Sequence, residues 1–285
     1  MRIDLHTHSA ASDGTDPPAE LMAAAARAGL DVIAITDHDT TAGWDDAVAN
    51  CPPGLTLIRG TEFSCVHIDP AGRRISLHLL GYLYDREDEQ LRAERRRLRE
   101  SRLRRGRQMV ENMAADGVPI TWAQVRDLAG GGPVGRPHIG RALVIAGVVP
   151  DVDTAFRDLL SSRRPYYVRK ADTDVFTAIR MIRAAGGLPV FAHPLARRRG
   201  PVVDADTIAA MARAGLVGLE VDHPDQDAVD RAEAAALARE LGLVGTGSSD
   251  YHGLNKTTPL AACQTDPDAY AALLAIPHAL DLIRA

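Results

Sequence analysis

Six histidines, two aspartates and one glutamate could together hold divalent cations: His6, His8, Asp13, His38, Glu62, His78, His193, Asp250 and His252. Most of them close an apolar, β-branched run: RIDLHTH, DVIAITDHD, LTLIRGTE, RISLHLLGY, LPVFAHP and LVGTGSSDYH. His6 and His8 are two apart on a strand, so both imidazoles point to one face. An isolated pair of this kind is weak evidence, since a core histidine bonded to backbone gives the same pattern. Here seven of the ten histidines, counting His223, fall at or beside the ends of predicted strands, which chance placement would not produce. In the run Asp37-His38-Asp39 only alternate residues share a face, so His38 is assigned to metal. Asp37 or Asp39 would then accept a hydrogen bond from a ligand imidazole and fix its tautomer. Glu62 ends its strand as the natural bridge between two cations about 3.5–4 Å apart. Asp250 and His252 repeat the same-face spacing after the small-residue run 245–249. A set of nitrogen and oxygen donors without cysteine suits Mn²⁺, Zn²⁺ or Fe²⁺.

These residues need a scaffold that gathers strand ends. Short β-branched runs alternate with Ala-rich amphipathic stretches, the rhythm of a parallel sheet covered by helices. Strands are predicted at 2–8, 31–38, 55–62, 75–83, 188–193, 217–222 and 243–249, and helices at 17–28, 43–50, 173–185, 204–214 and 226–241. The polar turn Asp69-Pro70-Ala71-Gly72 is expected to join the third and fourth strands. In a parallel β/α barrel such strand ends converge on one face. Between 85 and 170 the rhythm stops, and a long charged helix from Glu87 to Ala115 and a shorter one after Pro137 take over. The expected organisation is a barrel from 1–84 and 171–285 with an inserted helical subdomain at 85–170.

The net charge of −5 argues against a protein that coats nucleic acid over its whole surface but leaves room for a local basic patch. Nine arginines between Arg92 and Arg107 provide one, read either as a solvated helix face or as a rim that guides a phosphate backbone. At 4% aromatic residues a base-stacking platform is not expected, which favours a short substrate or the end of a long one. Three cysteines without metal or redox spacing predict reduced thiols. No run reaches the roughly 18 apolar residues of a membrane span. A cytoplasmic protein without membrane attachment or obligate protein partner is expected.

The motifs DLHTHSAASDG at 4–14, TDHD at 36–39, AHP at 192–194 and SDYHG at 249–253 resemble those of the polymerase and histidinol phosphatase (PHP) superfamily. The resemblance implies an α/β fold, a distorted (β/α)7 TIM-like barrel, and phosphoester hydrolysis with two or three divalent metal ions. Mn²⁺ is the first choice, with Zn, Fe or Mg as alternatives. It further implies one site of His6, His8, Glu62 and Asp250, a second sharing Glu62 with His78 and His193, and a third of Asp13, His38 and His252. The stretch VGRPHIGRAL at 134–143, the insertion and YYVRK at 166–170 resemble stand-alone phosphoesterases that act on nucleoside 3′,5′-bisphosphates, some of which trim the 5′-phosphorylated end of short RNA or DNA. A histidinol-phosphate phosphatase and a non-catalytic nucleic-acid-binding module are the rival expectations. Glu62, Asp37 and His223 are the expected catalytic residues, with His223 protonating the leaving ribose oxygen or merely capping the strand before Pro224. For a second phosphate on the substrate, Arg136 and His138 near a predicted helix N-terminus come first, then Lys170 and Arg197. Ordinary surface charge is the alternative for all four.

Overall fold

A computed structural model of the chain describes residues 1–130 and 134–284. The barrel side opens with β1 (Ile3–Thr7), α1 (Pro18–Arg27), β2 (Val32–Ile35), α2 (Trp44–Ala49), β3 (Thr56–Ile68) and β4 (Arg74–Tyr82). Helices α3 (Glu89–Ala115), α4 (Trp122–Leu128), α5 (Arg136–Ile145) and α6 (Val152–Ala155) follow. The chain then returns through β5 (Thr173–Asp174), α7 (Val175–Ala184), β6 (Leu188–Ala192), α8 (Ala205–Arg213), β7 (Gly218–Asp222), α9 (Ala228–Glu240), β8 (Val244–Gly247), α10 (Pro267–Leu274) and β9 (Ile283–Arg284). Asp88, Asp174, Asp204, Asp227 and Asp266 start α3, α7, α8, α9 and α10 by accepting first-turn N–H groups, each worth about 1 kcal/mol.

The sheet runs β1-β2-β3-β4-β6-β7-β8, with β5 and β9 pairing outside that path on β3. A bridge between Thr7 and Tyr251 and the bond from His8 N–H to Tyr251 O bring the end of β8 back to β1, so the barrel is nearly closed. One expectation of the parallel reading fails: β4 is antiparallel to both β3 and β6. The cause is the turn at Asp69. Its backbone N–H and side chain bond Arg73, and Gly72 takes φ +76°, so the chain reverses in a hairpin where a crossover helix would have kept it parallel. Alternating apolar residues therefore carry β3 on to Ile68, and Glu62 and His78 lie mid-strand, not at strand ends.

Strand parity divides the core. Ile33, Ile35, Leu57, Leu79, Phe191 and Leu219 pack on Leu21, Met22, Ile179, Ile182 and Ile208 of the covering helices. Val32, Ala34, Ile58, Leu80, Tyr82, Val190 and Ala192 face the barrel interior with Tyr270 and Leu273 of α10. A third cluster, including Met109, Met113, Val125, Ile139, Leu143 and Leu160, is built only from residues between α3 and the chain's return to β5.

Candidate metal centre

Above the interior apolar layer the side chains turn ionisable. The register of β1 against β2 shifts between Asp4 and Thr7, the stretch that carries His6. His6 and His8 are fully buried, their Nε2 atoms 3.0 Å apart. Both face Glu62 Oε2, at 3.3 and 3.1 Å, and Asp250 Oδ1, at 3.4 Å each. Glu62 presents its other oxygen to His78 Nδ1 at 2.6 Å and His193 Nε2 at 3.1 Å. One carboxylate thus addresses two groups of donors, as a bridging ligand must.

His38 stands between groups. Its Nδ1 lies 3.0 Å from Glu62 Oε2, and its Nε2 lies 3.8 Å from Asp13 Oδ2. Asp13 also faces His252 Nε2 at 3.4 Å and His8 Nδ1 at 3.8 Å. Asp13 can reach this position because the loop after β1 folds tightly onto the strand. A Cβ on Gly14 would stand 2.4 Å from His8 O, so only glycine fits there. His193 and Asp250 both hold left-handed backbone, at φ +34° and +51°, conformations uncommon outside glycine and kept where surrounding contacts enforce them.

The cluster fits divalent cations on its own geometry. His38 Nδ1, His78 Nδ1 and Glu62 Oε2 are buried and close to one another, yet none has a hydrogen-bond partner among the described residues. Their lone pairs converge on shared space in place of pairing. His6, His8, Glu62 and Asp250 form one mutually close set, His38, Glu62 and His78 another, and His8, Asp13, His38 and His252 a third. Burial pushes His38 and His193 down to about 3 and His252 to about 4, so these imidazoles are neutral and carry the lone pair that a cation needs. His8 goes the other way. Burial pulls it down, but hydrogen bonds to Asp250 and Glu62 outweigh that and hold it up at about 9.

The outer partners differ from expectation. Asp37 accepts from Ser9 N–H (2.8 Å), Ser9 Oγ (2.7 Å) and Ser12 Oγ (2.6 Å), which fixes the loop carrying Asp13 and leaves no imidazole on it. Asp39 binds Ser64 and Arg102 Nε (2.6 Å). The carboxylate that orients a ligand imidazole is Glu220 of β7, fully buried. It lies 3.2 Å from His6 Nδ1 and accepts from His193 N–H at 2.7 Å and from Ser248 Oγ. Sequence reading passed over Glu220, although an acid inside the apolar run VGLEV must find a partner when buried.

The expected substrate residues divide. His223 Nδ1 accepts Asp225 N–H at 3.0 Å, so its proton sits on Nε2, 3.3 Å from Asp250 Oδ2. Its contacts describe a support for Asp250 and not a donor open to a leaving group. His138 Nδ1 accepts Gly135 N–H and thereby caps α5. Lys170 pairs with Asp172. Arg197 is engaged by Asp230 and Glu233 of α9, and the arginine that reaches the centre is Arg199, 2.7 Å from Asp250 Oδ2. Arg136 is different: among the described residues its guanidinium meets Leu160 O at 3.2 Å and the faces of Phe156 and Tyr167. Arg105, buried on α3, has no hydrogen-bonded or acidic partner among the described residues. Burial, with the like charges of Arg136 and Arg102, brings its pKa down to about 9, so it remains a cation at neutral pH. Arg102 and Gly135 line a narrow recess with Ser12, Asp13 and His38.

The PHP domain family model matches residues 4–112. A 5′-3′ exoribonuclease of Haemophilus influenzae is 33% identical over 252 residues, covering 88% of this chain and 90% of the relative. A 3′,5′-nucleoside bisphosphate phosphatase of Chromobacterium violaceum is 32% identical over 257 residues, covering 88% and 87%. A crystal structure from Bifidobacterium adolescentis, classed as a metal-dependent phosphoesterase, matches with a TM-score of 0.91 and 36% identity over 96% of each chain.

Proposed function

The chain belongs to the PHP domain family and is a metal-dependent phosphoester hydrolase, and on that premise we propose that it removes the 3′-phosphate of nucleoside 3′,5′-bisphosphates and trims 5′-phosphorylated ends of short RNA or DNA. The observation that carries this reading is the pair Arg105 and Arg136, which make no direct ion pair among the described residues and feel Asp172 and Asp13 only at longer range. A buried cation without an anion is unfavourable by several kcal/mol. A second phosphate on the substrate, bound by one or both guanidinium forks, removes that penalty only when the right ligand is present. Two relatives are named for 5′-3′ RNA cleavage and for a nucleoside 3′,5′-bisphosphate, and a substrate of the second kind carries a phosphate besides the one removed.

We assign His6, His8, Glu62 and Asp250 to one cation, Glu62, His78 and His193 to another, and Asp13, His38 and His252 to a third, with Mn²⁺ preferred. Cations bound there would supply Lewis acidity at phosphorus and activate water. The chain's own part is to hold the donors in place and to keep His38, His193 and His252 unprotonated. Glu220 keeps the His6 proton on Nδ1, Asp37 fixes the Asp13 loop, and Arg102 ties α3 to Asp39 next to His38. The three unpaired cysteines fit a reducing, cytoplasmic setting. Among the described residues no helix is long and apolar enough to cross a membrane.

The test is phosphate release from adenosine 3′,5′-bisphosphate by metal-stripped protein resupplied with Mn²⁺, with product identification and Glu62→Gln as control. Metal-dependent formation of 5′-AMP, absent in the variant, is expected. A folded, metal-loaded protein that releases no phosphate from this substrate overturns the substrate assignment. Histidinol phosphate would then be assayed next.

A further inference from the structure

Asp250 turns one oxygen inward and the other to a crowd. Oδ1 faces His6 and His8, while Oδ2 receives Arg199 Nη2 at 2.7 Å, Lys256 Nζ at 2.5 Å and His223 Nε2 at 3.3 Å. Arg199 also binds Asp225 through Nε at 2.5 Å. The two cations come from the turns after β6 and β8, on the barrel's own loops and not on the helices that carry Arg105 and Arg136. The Asp250 side chain is 3% exposed, Arg199 35% and Lys256 31%, so both cations stand between the carboxylate and solvent.

Three donors on one carboxylate oxygen are more than its lone pairs serve well. When Asp250 shares its charge with a cation at the His6 and His8 side, its hold on Arg199 and Lys256 weakens while both stay at the rim of the same centre. We propose that Arg199 and Lys256 form a clamp for the phosphoryl group that reacts, binding its outer oxygens once the metal-ligand cluster is loaded. The ligand class is the phosphomonoester dianion of the bisphosphate substrate; the reacting diester of an oligonucleotide carries one charge less and gains less from two cations. Arg105 and Arg136 would hold the non-reacting phosphate, and the clamp the reacting one. The inference rests on the metal-centre assignment above but not on the identity of the nucleotide.

The experiment uses Mn²⁺-loaded protein, with inorganic phosphate as the probe in calorimetric titrations and manganese content measured in parallel. Arg199→Ala and Lys256→Ala are each expected to weaken phosphate binding about 10- to 100-fold, the range for a lost charged hydrogen bond, with manganese content unchanged. Arg199→Lys and Lys256→Arg should recover part of the affinity, and they also serve if an alanine variant fails to fold. Unchanged phosphate affinity overturns the clamp. Loss of manganese instead of phosphate overturns it too, because the two residues would then merely position Asp250. A wild-type protein that ignores adenosine 3′,5′-bisphosphate yet binds phosphate through these residues refutes the substrate reading alone.

Discussion

Replacing Glu220 with Gln tests whether outer partners set the metal centre. Its two carboxylate oxygens serve donors on different strands: one faces His6 Nδ1 at 3.2 Å and Ser248 Oγ, the other accepts His193 N–H at 2.7 Å. An amide can accept on one side only. If its oxygen serves His193, its NH₂ faces His6 and forces the proton to Nε2, which removes the lone pair directed at Glu62 and Asp250. If its oxygen serves His6, His193 N–H loses its partner at a residue with φ +34°. Either way one candidate ligand is misplaced. Loss of such a partner weakens metal binding about 10- to 100-fold, or roughly 1.4–2.7 kcal/mol. Titration of metal-stripped protein with Mn²⁺, followed by calorimetry or by the spin resonance of free Mn²⁺, reads this directly. Thermal unfolding of the metal-free forms separates affinity from folding. A Glu220→Gln protein with wild-type Mn²⁺ affinity and wild-type melting temperature would refute the reasoning.

Glu62→Gln should abolish turnover more completely than loss of any single arginine, because five imidazoles face its two oxygens; elemental analysis should show reduced bound metal, and full occupancy with normal rate would contradict the bridge. Mn²⁺ affinity should rise with pH. His8 is raised to about 9 from 6.5, so the metal-free protein keeps a proton there at neutral pH that a cation must displace, and this competition fades as pH approaches 9. Calorimetry in buffers of different ionisation enthalpy should detect the released proton, and pH-independent binding between 6.5 and 9 would exclude it. Arg102→Met and Arg105→Met should behave oppositely although both side chains are buried. The first strands Asp39 and should destabilise the fold by about 3–5 kcal/mol in denaturant titrations. The second removes an unpaired cation and should leave stability unchanged or raised while increasing KM for the bisphosphate. Destabilisation by both would mean that Arg105 has a structural partner.

The sequence made the local parts of the centre legible. Two histidines two apart on a strand, or an aspartate and a histidine likewise spaced after a small-residue run, declare their common face through backbone geometry alone. Strand direction is not written that way: the apolar run of β4 reads the same in both senses, and only the reversal at Asp69–Arg73 decides it. Glu220 was hidden because its neighbours look like any buried strand. Arg197 and Arg199 differ by two positions, and their fates follow from the turn between β6 and α8, whose geometry no periodicity encodes. On α3 a signal existed. Arg95, Arg102 and Arg105 fall on the same helical stripe as Leu91, Leu98, Met109 and Met113, so those arginines point inward and are distinct from the solvated rest.

That inward stripe orders the arginines by what meets them. Arg95 donates through its Nη atoms to neutral acceptors, Tyr84 Oη at 3.3 Å and Arg86 O at 2.6 Å, and lies over the Tyr84 ring, with its Nε unpartnered among the described residues. Arg102 meets the carboxylate of Asp39. Arg105, one helical turn further along, meets no acid among the described residues, and its neighbour Arg136 meets none either. A fold selected for stability alone would replace such a pair with apolar side chains of similar size, a change that is often neutral or stabilising. Their presence in this chain, with Arg136 near enough to feel Asp13, supports the proposal of an anion that arrives with the substrate. The same reasoning separates the two basic walls. Arg199 and Lys256 already have carboxylates and must be released before they can bind phosphate, whereas Arg105 and Arg136 are ready before any metal arrives. A substrate should thus engage metal-free protein through its non-reacting phosphate, weakly and in a salt-sensitive manner.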